Sequence, residues 1–400
     1  MGISTGRRRP AIVGGRPEFD GGLAFFRPAT PPLEAVMERL APSYERGVLT
    51  NGPLVRLLEE QVANRLGTRS AVAVSSCTAG LMLTLQALRP QGPVVLPSFT
   101  FSASAHAVVW NGLVPVFAEC DPRSFQFDPA DAAGRLSGAG ALMATHVFGA
   151  PCPVEDATEL AAKAGIPLLF DAAHGLGATR RGRAVGSFGT AEVFSLSPTK
   201  PVVAGEGGIV STDDEGLAQT VRLGRDYGNP GDYNTRFAGL NARMSELHAA
   251  TALESLGELD EHLQIRRHLA GRYRAGLAAI PGVHPQQLEA ADESTYKDFT
   301  VAIDPVAFGI SRDGLVTALR AEGIDTRCYF SPPVHRQQAY DDIGGDELPV
   351  TDEVASQVVS LPLYRSLPVQ DLERVVDVLG DVYAHSEEVR HALTVGTSTG

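Results

Sequence analysis

The sequence predicts an α/β fold, a mostly parallel sheet covered by helices, followed by a smaller α+β domain at the C-terminal end. Three observations carry that prediction. From Ala71 onward, short continuous apolar runs alternate with helical stretches; such runs lack the polar–apolar alternation of a sheet with one wet face, so both faces are covered. Around Met244 the pattern changes to a long helical stretch, after which strands become sparse. The chain has 400 residues, too many for one small core, and two domains are expected.

In order, residues 1–30 are rich in Gly, Pro and Arg and read as a loose N-terminal arm. After Pro31 and Pro32, Leu33, Val36, Met37 and Leu40 fall at helical spacing. GVLTNGP is a turn, and Pro53 suits the first position of a second helix with Leu54, Leu57, Leu58, Val62 and Leu66 on one face. The strands AVAVSS, PVVLPSF, VPVFAEC, ALMATHVFG, IPLLFDAAH, AEVFSLS and GGIVSTD follow, with helices between most of them. Residues 31–244 form the large domain and 245–400 the small one. The latter has a long helical stretch with a break at Gly257, a strand YKDFTVAID, a helix capped by Ser311, a strand DTRCYF and two closing helices. The tail HALTVGTSTG is expected to be disordered.

Composition excludes several function classes. The apolar fraction is 44% and the charged fraction 20%, as in soluble globular proteins. A formal net charge of −13 leaves no basic excess for nucleic acid. No apolar run approaches the roughly 20 residues of a membrane span. The basic start lacks the apolar segment of a secretory signal, so a cytoplasmic chain is expected. Cys77, Cys120, Cys152 and Cys328 are scattered, which suggests neither a disulfide framework nor a metal site.

The chemistry centres on VFSLSPTKPVVAGEGG, residues 193–208. Only three of the 34 basic residues counted as Lys or Arg are lysines: Lys163, Lys200 and Lys297. Lys200 sits among apolar and small residues, where it either snorkels from a strand end or loses its proton and attacks a carbonyl, which arginine cannot do. At SSCTAG, a helix N-terminus with Thr78 and the small Ala79 and Gly80 could receive a phosphate, or could be an ordinary turn. Asp171 ends a buried strand and either caps the turn after it or holds a proton on a heteroaromatic nitrogen. Phe101 is either a core residue or a platform for a planar ligand. A nucleophilic Cys77 beside His106, His146 or His174 lacks a supporting local signature. Neither a Walker loop nor a dinucleotide fingerprint is present. Together, a phosphate receptor, an aromatic platform, an acid for a ring nitrogen and one reactive lysine are what pyridoxal phosphate requires.

The motifs GVLTNGP, SCTAGLMLTL, PSFTFSASAHAV, FDAAHGLGA, FSLSPTK with AGEGG, GLNARMSELHAA and YFSPPVH resemble those of the DegT-type nucleotide-sugar aminotransferases, from about Phe25 to Leu379. The resemblance implies fold type I of the pyridoxal phosphate enzymes, with Lys200 as the covalent anchor and proton shuttle and Asp171 as the pyridinium partner. It further implies His174 beside the ring hydroxyl, Phe101 on the ring face, and Thr78, Ala79 and Ser195 at the phosphate. Asn241 would reach the phosphate of a neighbouring subunit, which implies a homodimer, and Tyr329 and His335 would line the substrate mouth. The implied reaction moves an amino group from an amino acid, most often glutamate, to a keto-sugar joined to a nucleotide diphosphate, in amino-sugar or secondary metabolism. A keto-cyclitol acceptor, a dehydration, or a non-catalytic dimeric relative remain as alternatives. The sequence departs from the family at Ser197 and Pro201, which flank the lysine; Pro201 stiffens the backbone after it.

Overall fold

A computed structural model describes residues 7–343 and 347–396. Its centre is a seven-stranded sheet in the order β1-β9-β8-β5-β4-β2-β3. The strands are β1 (Ser70–Val74), β2 (Val94–Pro97), β3 (Pro115–Ala118), β4 (Ala141–Thr145), β5 (Leu168–Asp171), β8 (Ala191–Ser195) and β9 (Gly208–Thr212), with the small hairpin β6 (Thr179–Arg180) and β7 (Arg183–Ala184) outside the sheet. Of the seven, only β9 runs against the rest. The apolar runs read as strands from sequence are thus strands, and nearly every position in them is buried, as a sheet covered on both faces requires.

The covering helices are α1 (Leu33–Glu45), α2 (Pro53–Leu66), α3 (Cys77–Leu88), α4 (Ser102–Trp110), α5 (Pro129–Arg135), α6 (Val154–Ala164) and α7 (Glu215–Gly224). Pro53 opens α2 and Gly67, at φ +70°, closes it. α3 lies flat against the sheet because Gly80 has no side chain: a Cβ there would come within 2.7 Å of Val193. Ser76 caps α3, its Oγ accepting from the Ala79 N–H at 3.1 Å.

The helical stretch after Met244 is two helices, α8 (Glu246–Gly257) and α9 (Leu259–Leu277), broken where Gly257 was expected to break it. Beyond it, a three-stranded antiparallel sheet contains β10 (Val283–Pro285), β11 (Phe299–Ile303) and β12 (Val358–Leu361). The helices α10 (Pro305–Phe308), α11 (Arg312–Ala321), α12 (Pro349–Gln357), α13 (Val369–Ala384) and α14 (Ser386–Gly396) surround it.

Three expectations are corrected here. DTRCYF is not a strand; it contributes a single bridge, Arg327 to Ser360, and the third strand is β12, whose four residues are too short to show a period. The tail is helical through Gly396, with Val389 fully buried and Leu393 packed on the core; residues 397–400 lie outside the described part. Nor is the described part of the N-terminal arm loose. Phe19 and Leu23 join the core of the three-stranded sheet, and Leu23 bridges Ile324.

Candidate active site

Because the strands are parallel, their carboxyl ends gather at one edge, and the loops leaving them enclose a cavity of about 340 Å³. Ser76, Thr78, Phe101, Asp171, His174 and Lys200 line it, with Ser195, Lys297, Asp298 and Tyr329 among the other residues of its wall. Residues more than 200 positions apart thus face one small space.

Asp171, the last residue of β5, is 3% exposed. Its Oδ2 accepts from the Ser104 hydroxyl at 2.5 Å and its Oδ1 from the Ala173 N–H at 3.1 Å. Burial raises its pKa, opposed by those two donors and by the charges of Lys200 and His146. Among the described residues it forms no ion pair. A buried carboxylate held by hydrogen bonds but lacking a cation fits a protonated ring nitrogen.

Lys200 follows a tight turn in which its N–H donates to the Ser197 carbonyl at 3.0 Å. Burial, then the charge of Lys297, lowers its pKa to about 8, against Asp298, Cys77 and Asp171, which favour the charged form. Of the two sequence readings, the deprotonatable amine is the one the cavity supports. His174 is driven well below its usual pKa by burial and by the two lysines, and is neutral. Burial pushes the Cys77 thiol well up, and its Sγ–H donates to the Val193 carbonyl at 3.5 Å, so it is no nucleophile.

Phe101 is 59% exposed while Phe99, two residues before it, is fully buried. The core role therefore falls to Phe99, and Phe101 is left as a face beside the cavity. The N-terminus of α3 supplies Thr78 to the cavity, and Ser195, the last residue of β8, lines it too. Gly208 lets β9 pass close to this turn: a Cβ there would lie 2.6 Å from the Cys77 backbone nitrogen. The donor set fits pyridoxal phosphate. Thr78, Ser195 and the start of α3 would hold its phosphate, Phe101 and His174 its ring, Asp171 its nitrogen and Lys200 its aldehyde.

Two expected residues, Ala79 and His335, lie elsewhere, and Asn241 was expected at the neighbouring subunit's phosphate rather than in this cavity. Ala79 is buried, outside the cavity wall, and its N–H already serves the Ser76 cap. Asn241 is exposed, with its Oδ1 accepting from Arg243 at 3.3 Å, and does not line this chain's cavity. His335 was expected at the substrate mouth but is folded onto the end of β2. Ser98 Oγ accepts from the His335 backbone N–H at 3.0 Å and shares a hydrogen bond with Nδ1 at 2.6 Å, while Nε2 lies 3.3 Å from Asp352. The two Ser98 hydrogen bonds hold the ring away from the cavity. Tyr329 does line it.

Sequence reasoning missed Ser104, Lys297 and Asp298. Lys297 carried a signal, being one of only three lysines; Ser104 and Asp298 carried none, since their roles depend on neighbours distant in the chain.

Comparison with known proteins agrees with this geometry. Residues 33–380 match the model of the DegT/DnrJ/EryC1/StrS aminotransferase family. The chain is 31% identical over 378 residues to the spore coat polysaccharide biosynthesis protein SpsC of Bacillus subtilis strain 168, covering 89% of this chain and 97% of that one. It is 31% identical over 339 residues to GDP-perosamine synthase of Caulobacter vibrioides, covering 83% and 90%. The crystal structure of DesI in the presence of its TDP-sugar product superposes with a TM-score of 0.90 at 38% identity, covering 95% and 98%. With a family model over most of its length and a site fitted to pyridoxal phosphate, this chain belongs to the DegT/DnrJ/EryC1/StrS family of pyridoxal phosphate-dependent aminotransferases.

Proposed function

We infer that the chain transfers the amino group of an amino acid, glutamate being the donor proposed, to a keto-sugar carried on a nucleoside diphosphate. The observation that carries this is the convergence of Lys200, Asp171 and the α3 N-terminus on one cavity. The sugar class is supported by the relatives, one named for a GDP-sugar and one crystallised with a TDP-sugar.

When bound, pyridoxal phosphate supplies the aldehyde that takes up nitrogen and the ring that spreads the charge left on carbon. The remaining work belongs to the chain. Asp171 keeps the ring nitrogen protonated, since a buried carboxylate favours a cation beside it. The free Nζ of Lys200, near its own pKa at neutral pH, takes a proton from the donor's α-carbon and later returns one to the acceptor carbon. General acid–base help of this kind contributes roughly 10²–10⁴-fold. Phe101, Tyr329 and Phe330 line the cavity with aromatic surface that limits water there.

A cytoplasmic homodimer is proposed, in which Asn241 serves the neighbouring subunit's phosphate; its exposed position supports that role. The test is turnover of a panel of keto-sugar nucleotides and keto-cyclitols with glutamate. Conversion of a nucleotide-linked sugar supports the assignment; conversion of free cyclitols alone overturns it.

A further inference from the structure

Two of the chain's three lysines line the same cavity. Lys297 is 6% exposed, and its Nζ donates to both oxygens of Asp298 at 2.9 Å. The ammonium lies 5.3 Å from the centre of the Tyr329 ring. The segment carrying this pair is clasped to the large sheet's loops. Glu293 and Thr179 exchange both backbone hydrogen bonds at 2.9 and 3.0 Å, and the Lys297 N–H donates to the Phe148 carbonyl at 3.0 Å. The Thr295 N–H donates to the Gly149 carbonyl at 3.1 Å and its hydroxyl to the His174 carbonyl at 2.7 Å. From α9, the buried Arg266 donates to the carbonyls of Tyr296 at 3.0 Å and Lys297 at 3.3 Å.

A buried ion pair is costly to desolvate and is weak evidence of a purely stabilising role. We propose that Lys297 and Asp298 are positioning residues that jointly set the charge on the Lys200 amine, the ammonium opposing a second positive charge in the cavity and the carboxylate favouring it. Other titratable groups lining the cavity with Lys200 are Cys77 at the start of α3, Asp171 and His174 at and after β5, Glu206 before β9, and Tyr329. The opposing signs of Lys297 and Asp298 agree with the causes acting on Lys200. The inference rests on Lys200 being the reactive amine.

The two members of the pair make opposite predictions, which a packing role alone would not. Removing Lys297 leaves Asp298 unpaired and draws Lys200 toward its protonated form; removing Asp298 leaves Lys297 unopposed and drives Lys200 neutral. The full-length chain, labelled with ¹³C at lysine Cε and freed of cofactor, has three lysine signals to titrate. The Lys200 midpoint should rise by on the order of one pH unit in Lys297→Met and fall by about as much in Asp298→Asn. Lys297→Arg should stay near the unmodified protein, and the double variant should return toward it. Shifts of the same sign, or no shift in variants with unchanged circular dichroism and an unchanged Lys163 signal, would overturn the proposal. Should Lys297→Met fail to fold, the fall in Asp298→Asn decides alone. If Lys200→Ala still bonded pyridoxal phosphate, the reading of Lys200 would fail; unmoved midpoints with Lys200 still bonding it would overturn only the pair's role.

Discussion

The Ser104 hydroxyl donates to Oδ2 of Asp171 across 2.5 Å, joining the first turn of α4 to the end of β5. Ser104 Oγ lies 3.0 Å from Thr100 Oγ1, which lies 3.2 Å from Thr145 Oγ1, so a buried row of hydroxyls ends on the carboxylate. Ser104→Ala removes a donor to an ionised group, an interaction of about 1.5–3 kcal/mol. It raises the Asp171 pKa further and weakens the hold on a protonated ring nitrogen. Pyridoxal phosphate affinity, followed by its absorbance, should fall about tenfold or more. Ser104→Thr should restore most of it.

With Lys200 in its proposed role, reaction of the cofactor-free chain with pyridoxal phosphate needs the neutral form of that amine. The folded pKa lies at about 8, below the 10.5 usual for a lysine, so the neutral fraction grows as pH rises through about 8. The rate of covalent attachment, read by stopped-flow absorbance, should rise and then level off above that value. A flat profile between pH 6 and 9 would be inconsistent with this amine. Lys200→Ala should lose both the attachment and turnover.

Gly208→Ala places a methyl group 2.6 Å from the backbone of Cys77, which cannot rotate aside. The turn at the start of α3 must shift, at a cost of about 1–3 kcal/mol. Phosphate binding should suffer more than folding does. Cofactor affinity and the urea midpoint, measured on one preparation, would separate the two.

Glu246, fully buried at the start of α8, accepts from the N–H groups of Gly52, Leu54 and Val55 at 3.0 Å each and from the Ser43 hydroxyl at 2.9 Å. It therefore caps α2 across nearly two hundred residues. Glu246→Ala strands those four donors, and at about 1 kcal/mol or more for each the loss should be about 4 kcal/mol or more. Chemical denaturation would show it as a lower midpoint with an unchanged slope.

The sheet was legible because its strands are buried on both sides, so that local composition alone marks them. The helix cap at Ser311 and the break at Gly257 were legible for the same local reason, whereas the Ser76 cap was not read from the sequence. β12 and the false strand at DTRCYF were not, because short strands are decided by a pairing partner rather than by their own residues. Phe101 and Phe99 carry the same local signal, and only packing separates the exposed ring from the buried one.

By itself, the sequence determined the order along the chain of the elements in the large sheet and singled out Lys200 and Asp171 as candidates, since these follow from local pattern and side-chain chemistry. The tertiary structure alone decided that Ser104, Lys297 and Asp298 stand around those two groups and that His335 does not line the cavity. Hydrogen bonds and charge interactions act over ångströms of space, and only folding sets which distant residues come that close.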